Sequence, residues 1–96
     1  MLTWILYDIS KTRVRTKVAK LCQQFGLYRV QMSCFLGKIN QTEIKELSLH
    51  IDDLIDQEND KVYIFPVSKD DFNKSILLGI AFDKKLVTDE VKALFL

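Results

Sequence analysis

Leu2–Asp8, LTWILYD, decides the fold. Its apolar residues occupy both parities, Trp4 and Leu6 on one and Ile5 and Tyr7 on the other, as in a strand buried on both faces at the centre of a sheet. A few residues on, the period changes. Val14, Val18, Leu21 and Phe25 recur at helical spacing, with Ser10 placed to cap the helix and Gly26 to end it in left-handed backbone. Arg13, Lys17 and Lys20 flank that stripe on one side and Lys11 and Arg15 on the other. Both basic rows can therefore stay in water while the stripe packs on the sheet.

Outward from there, Tyr28–Ile39 (YRVQMSCFLGKI) is extended, with Val30, Met32, Cys34 and Leu36 alternating against Arg29, Gln31, Ser33 and Phe35 in what reads as a single run. Asn40 followed by Glu43 is a capping box, and the helix it opens aligns Ile44, Leu47, Ile51, Leu54 and Ile55, leaving His50 on the wet side. Lys61–Val67 (KVYIFPV) is again apolar at both parities, and Pro66 marks an edge or an ending. Ser68–Phe72 fits a short turn or helical cap, Ile76–Phe82 (ILLGIAF) a further strand, and Val87–Leu96 either a helix or a strand. Strands interleaved with two amphipathic helices make an α/β sandwich. Two helices cover one face of a small sheet, and the bare face would be a larger apolar patch than monomers carry. A two-fold copy of the chain is the usual cover.

Ninety-six residues make one domain, burying roughly two-thirds of the surface of the unfolded chain. With 48% hydrophobic residues the core needs no disulfide or structural metal. Cys22 and Cys34 lack a CxxC spacing and read as small reduced hydrophobes. The single histidine excludes a Cys/His zinc cluster and leaves Ser10 and Ser33 without an evident base. Any metal would be held by oxygens, which favours Mg²⁺ or Mn²⁺. No apolar run approaches the ~20 residues of a membrane span, and Met1–Asp8 enters a strand with no basic flank or cleavage-type segment. The expectation is a soluble cytoplasmic protein without membrane contact.

A net charge of +1 hides segregation: residues 9–42 carry seven cations and no acid, whereas residues 43–61 carry seven acids against Lys45 and Lys61. One basic end points to a polyanion on that side, a solvated helix face being the plainer alternative. Asp8 is the one acid at the basic end and stands where the first strand meets the first helix, which suits either a helix-entry residue or a ligand position. If two copies meet near their axis, the two Asp8 carboxylates must share a proton or hold a cation, and Mg²⁺ with waters and phosphate oxygens fits such a site. Asp52, Asp53, Asp56, Glu58 and Asp60 read as a solvated charge run, and Asp70 and Asp71 as turn residues.

Tyr7-Asp8-Ile9-Ser10, the basic helix with Arg15 and Lys17, the stretch Gly26 to Gly37 (GLYRVQMSCFLG) and Val62–Val67 (VYIFPV) together resemble the CRISPR-associated Cas-two family. These are small proteins described as metal-dependent endonucleases and as structural partners in spacer integration. The likeness covers most of residues 2–67 and implies a ferredoxin-like βαββαβ subunit, with two strands where the pattern shows one run. It further implies two helices on one face, the other face in a two-fold homodimer, and a C-terminal segment of roughly residues 83–96 pairing with the partner's sheet. By likeness Asp8 matches the family's metal-binding aspartate at the dimer interface. Tyr7, Arg15, Arg29 and Phe35 match positions associated with nuclease activity. Lys17 stands where arginine also occurs, keeping the charge without bidentate phosphate recognition. Two functions follow. One is an Mg²⁺-dependent phosphodiesterase acting on RNA or DNA, with Tyr7 and Asp8 catalytic and Arg13, Arg15, Lys17, Lys20, Arg29 and Phe35 binding the nucleic acid. The other is a non-catalytic dimer that holds duplex DNA for an integrase subunit.

Both functions rest on the acid-free segment. Nucleic-acid affinity should therefore fall steeply with added salt, and neutralising Arg13 and Lys20 should weaken binding about equally for unrelated sequences. Fluorescence anisotropy over a potassium chloride series measures both; a salt-independent affinity or a strong base preference would contradict the assignment.

Overall fold

The computed structural model describes residues 1–81. The elements run β1 (Leu2–Asp8), α1 (Thr12–Gln24), β2 (Tyr28–Gln31), β3 (Cys34–Lys38), α2 (Gln41–Leu54), β4 (Lys61–Val67) and α3 (Lys69–Lys74). The four strands form one sheet in the order β2-β3-β1-β4, with every neighbouring pair antiparallel. This is the βαββαβ arrangement expected, with α3 added. β1 is central, as its two-sided apolar pattern required, and Pro66 lies on the edge strand β4, where a missing N–H costs no ladder bond.

The extended run is broken. Gln31 pairs with Cys34, so Met32 and Ser33 form a two-residue turn with Ser33 at φ 64°. Neither residue is the Asn or Gly that such a turn favours. A tertiary bond holds it instead, since the Tyr7 N–H donates to the Ser33 carbonyl at 3.0 Å.

α1 and α2 pack over one face. Ile5, Tyr7 and Phe35 from the sheet meet Val18, Ala19 and Cys22 of α1 and Leu47 and Ile51 of α2 in the main core. Asn40 caps α2 through a full capping box, its side chain accepting from the Glu43 N–H at 2.8 Å while the Glu43 carboxylate accepts from the Asn40 N–H at 3.0 Å. Gly26, at φ 82°, ends α1 in the left-handed backbone expected. Leu27 then passes so close to β3 that a Cβ at Gly37 would lie 3.0 Å from the Leu27 side chain and 3.2 Å from its Cα. A side chain at position 37 would therefore force Leu27 to shift by a few tenths of an ångström.

Three expectations are corrected. Ser10 does not cap α1: the N-cap is Lys11, without a side-chain bond, because the Ser10 hydroxyl and N–H are both taken by Asp60. Residues 76–81 form no strand; Ile76, Leu78 and Ile80 are exposed. Phe82, the ambiguous tail and the segment 83–96 lie outside the described residues. The second face of the sheet is also not bare. Phe72 of α3 seals Leu2 and Leu36 and meets Trp4 with ring centroids 6.3 Å apart, while Tyr63 (60% exposed) and Phe65 (42%) stay open on β4.

Burial pushes the Cys22 thiol up to about 12, and Cys34 rises for the same reason. At pH 8 only roughly one Cys22 in ten thousand is then the reactive thiolate. Alkylation by iodoacetamide, followed by mass spectrometry, should spare Cys22 in the folded chain and label it fully in denaturant. Fast labelling of the native protein would contradict this packing.

Candidate nucleic-acid interface

Alternation along β1 divides the residues expected to carry function. Tyr7 points with Ile5 into the helix-covered face and is 6% exposed, whereas Asp8 shares the parity of Trp4 and Leu6 and lies exposed on the opposite face, paired in register with Lys61 of β4. Tyr7 and Asp8 are adjacent in the chain but serve different sides of the sheet.

On the helix side, Tyr7, Phe35 and Arg29 form a row across β1, β3 and β2. The Tyr7 and Phe35 rings stack at 6.4 Å and 21°, and the Arg29 guanidinium lies over the Phe35 ring at 5.3 Å. Phe35 is fully buried, so it meets nothing outside the chain directly; it is the floor under Arg29. Arg15 enters from α1. Its Nη1 donates to the carbonyls of Ile9 (2.7 Å) and Ser10 (3.1 Å) and its Nη2 to the Thr12 hydroxyl (2.6 Å), which braces the turn out of β1. These bonds to neutral acceptors leave its charge unopposed. Lys20 joins Arg15, Arg29 and Tyr7 around a cleft of about 420 Å³, with the Thr12 and Ser33 hydroxyls on its wall. The Tyr7 hydroxyl is buried, and among the described residues nothing accepts its proton. Burial raises its pKa, the nearby Arg29 cation counteracting part of the effect.

The remaining cations face elsewhere. Arg13 and Lys17 are exposed on α1, and Lys17 lines, with Lys20, His50 and Asp53, a shallow groove between α1 and α2. Among the described residues none of Arg13, Arg15, Lys17, Lys20 and Arg29 forms a salt bridge, so this side keeps its full positive potential.

Around Asp8, the acidic loop after α2 is more than a solvated run. The Asp60 carboxylate accepts from the Ser10 N–H (3.0 Å), the Ser10 hydroxyl (3.1 Å) and the Asp56 N–H (2.9 Å). Asp56 in turn accepts from the Asn59 side chain (2.8 Å) and the Glu58 N–H (3.0 Å). The Asp56 and Ser10 N–H groups hold the Asp60 carboxyl below the usual range, and the Asn59 side chain with the Glu58 N–H does the same for Asp56. Asp60 thus fixes the turn that follows Asp8. No local pattern could reveal that role, because its partner is fifty residues away. No group of three or more His, Cys, Asp or Glu is placed to hold a metal ion among the described residues.

The family model for CRISPR associated protein Cas2 matches residues 1–75. A CRISPR-associated endoribonuclease Cas2 of Archaeoglobus fulgidus is 36% identical over 67 residues, 70% of this chain and 71% of that one. A fusion protein of Thermoproteus tenax, named as endonuclease Cas1 joined to endonuclease Cas2, is 32% identical over 72 residues, 75% of this chain and 27% of its own length. Among solved structures, Cas2 of Streptococcus pyogenes superposes with a TM-score of 0.72 at 25% identity, covering 82% of this chain and all of that one.

Because the folded Asp60 and Asp56 carboxyls titrate below their ordinary value of 3.8, their contribution to stability is fully present above that pH and is lost as pH falls through the folded values. In an NMR titration the Ser10 amide signal should follow Asp60 with a midpoint below 3.8 and lose that transition in Asp60→Asn. A midpoint at or above 3.8 would mean the anchor is not formed in solution.

Proposed function

This chain belongs to the CRISPR-associated Cas2 family, and we propose that it is a CRISPR-associated endonuclease of spacer acquisition and antiviral defence, working as a homodimer on RNA or DNA. The observation that carries the reading is the placement of Asp8. It is exposed at the end of β1, on the face that also presents Trp4, Leu6, Tyr63 and Phe65. A two-fold copy docked over that apolar face brings two Asp8 carboxylates toward one another, and apolar area of this kind is what symmetric dimers bury.

A single copy offers one carboxylate and cannot cage a divalent ion; two copies offer two hard oxygen groups, with waters and phosphate oxygens completing the shell. The paired Asp8 side chains would hold Mg²⁺, with Mn²⁺ the alternative, and an ion bound there supplies positive charge at the scissile phosphate and a more acidic water. The chain's own cations do the rest. Arg13 and Lys17 are free to grip the phosphate backbone, and Arg15, Lys20 and Arg29 extend the positive field toward the β2–β3 turn. Phe35 acts through Arg29, and Tyr7 sets that row from below. Asp60, through Ser10, positions the Asp8 end of the strand.

A second reading has its own support. A relative is joined in one chain to endonuclease Cas1, which favours an integrase subunit as partner and a non-catalytic dimer that holds duplex DNA for it. The basic surface serves both readings, and only the first needs the carboxylate charge.

Asp8→Asn separates them. It keeps the shape of the side chain but removes the charge that would hold the cation. Mg²⁺-dependent cleavage of RNA or DNA should be abolished, while sedimentation still gives about twice the 11.2 kDa chain mass and nucleic-acid affinity stays within about twofold of wild type. Activity should rise toward alkaline pH and vanish in EDTA. Unchanged cleavage by the variant would place the chemistry elsewhere; no cleavage by wild type with any divalent ion, alongside intact duplex binding, would favour the scaffold.

A further inference from the structure

The cleft between the start of α1 and the β2–β3 turn lies on the side of the sheet away from Asp8, and the proposed cleavage chemistry leaves it unused. Three cations that form no salt bridge among the described residues, Arg15, Lys20 and Arg29, border it, and Thr12 and Ser33 line its wall. At its base is the Tyr7 hydroxyl. Tyr7 is 6% exposed, and its buried hydroxyl has no acceptor for its proton among the described residues. An O–H left in this state is costly unless something accepts its proton, and unpartnered buried groups in folded proteins call for an explanation. Among the described residues no group stands within hydrogen-bond geometry to accept it. A ligand oxygen entering the cleft would.

We propose that this cleft is a binding site for a phosphate monoester, the group carried by a mononucleotide or by the phosphorylated end of a nucleic acid. Three convergent positive charges match a dianion better than the single charge of a backbone diester. Depth argues the same way. A diester must continue through the cleft in two directions, whereas a terminal phosphoryl group can enter end-on and reach a donor at the base. Arg29 is pre-set for the task by its seat on Phe35, and Arg15 by its bonds to the Ile9 and Ser10 carbonyls, so little freedom is lost when the anion arrives. The Tyr7 phenol, like any tyrosine at neutral pH, is protonated and hence a donor, and its burial favours that state further. The exposed Met32 at the rim offers an apolar contact for a base or ribose. The site is complete in one copy and requires neither a metal nor Asp8; it shares Arg15, Lys20 and Arg29 with the proposed nucleic-acid surface, and monophosphate binding in EDTA is read separately from Mg²⁺-dependent cleavage.

Isothermal titration calorimetry of the full chain in EDTA, with inorganic phosphate, adenosine monophosphate and adenosine, tests this. Phosphate and the monophosphate should bind and adenosine should not. Arg29→Gln and Tyr7→Phe should each weaken the monophosphate about tenfold, the range of one hydrogen bond to a charged group. Lys69→Gln, an equal loss of charge away from the cleft, should change affinity little. Tyr7→Phe should also melt no lower than wild type, because the buried O–H it deletes has no acceptor in the empty protein. To separate the two sources of the ligand, an oligonucleotide with a terminal phosphate should compete with the monophosphate and the same strand with a terminal hydroxyl should not. Equal competition by both strands would assign the cleft to backbone diesters and overturn the proposal. So would monophosphate binding indifferent to Tyr7→Phe and Arg29→Gln, or a marked loss of melting temperature in Tyr7→Phe.

Discussion

β1 is hydrogen-bonded along both edges, to β3 on one and β4 on the other, so its side chains have only two directions in which to go. That constraint organises the molecule. Ile5 and Tyr7 go under the helices and nucleate the main core; Leu2, Trp4 and Leu6 go to the other face, where α3 covers only part of them. The same alternation sends Asp8 out beside the open apolar surface and Tyr7 in beneath the basic cleft. Chemistry on the two faces is thereby insulated by the thickness of one sheet.

Charge follows the layering. Among the described residues, cations outside any salt bridge gather on α1 and the β2 edge, while most acids lie on α2 and the loop after it, with Asp60 crossing back to pin the turn between β1 and α1. Under the proposed function, this separation attracts a polyanion to one side and keeps a carboxylate available on the other. The Asp60 anchor is exposed and contributes geometry more than stability, since three donors converge on one carboxylate at the point where the chain leaves the central strand.

The aromatic row is the mechanical link between core and surface. Phe35 is fully buried, stacked against Tyr7 on one side and capped by Arg29 on the other. A core residue thus sets the direction of a surface cation. Truncating it to alanine would cost about 3–5 kcal/mol in packing alone, and any loss of nucleic-acid affinity in such a variant would reach the ligand through Arg29.

The sequence by itself determined the elements whose signals are local. The two-sided apolar pattern of Leu2–Asp8, the helical stripe from Val14 to Phe25, the Asn40–Glu43 box and the left-handed Gly26 each depend on neighbours within a turn or two, and each stands as expected. The family and its basic segment were legible for the same reason. Tertiary structure decided whatever depends on a distant partner. The Met32–Ser33 turn exists because the Tyr7 N–H reaches Ser33, Ser10 leaves its capping role because Asp60 takes both its donors, and residues 76–81 stay out of the sheet. The parity of Asp8 and Tyr7 could be counted along the strand, but which parity the helices would cover could not. Both faces of β1 are apolar, and hydrophobic burial has no direction of its own; only the packing of α1 and α2 gave the two sides of the sheet different work.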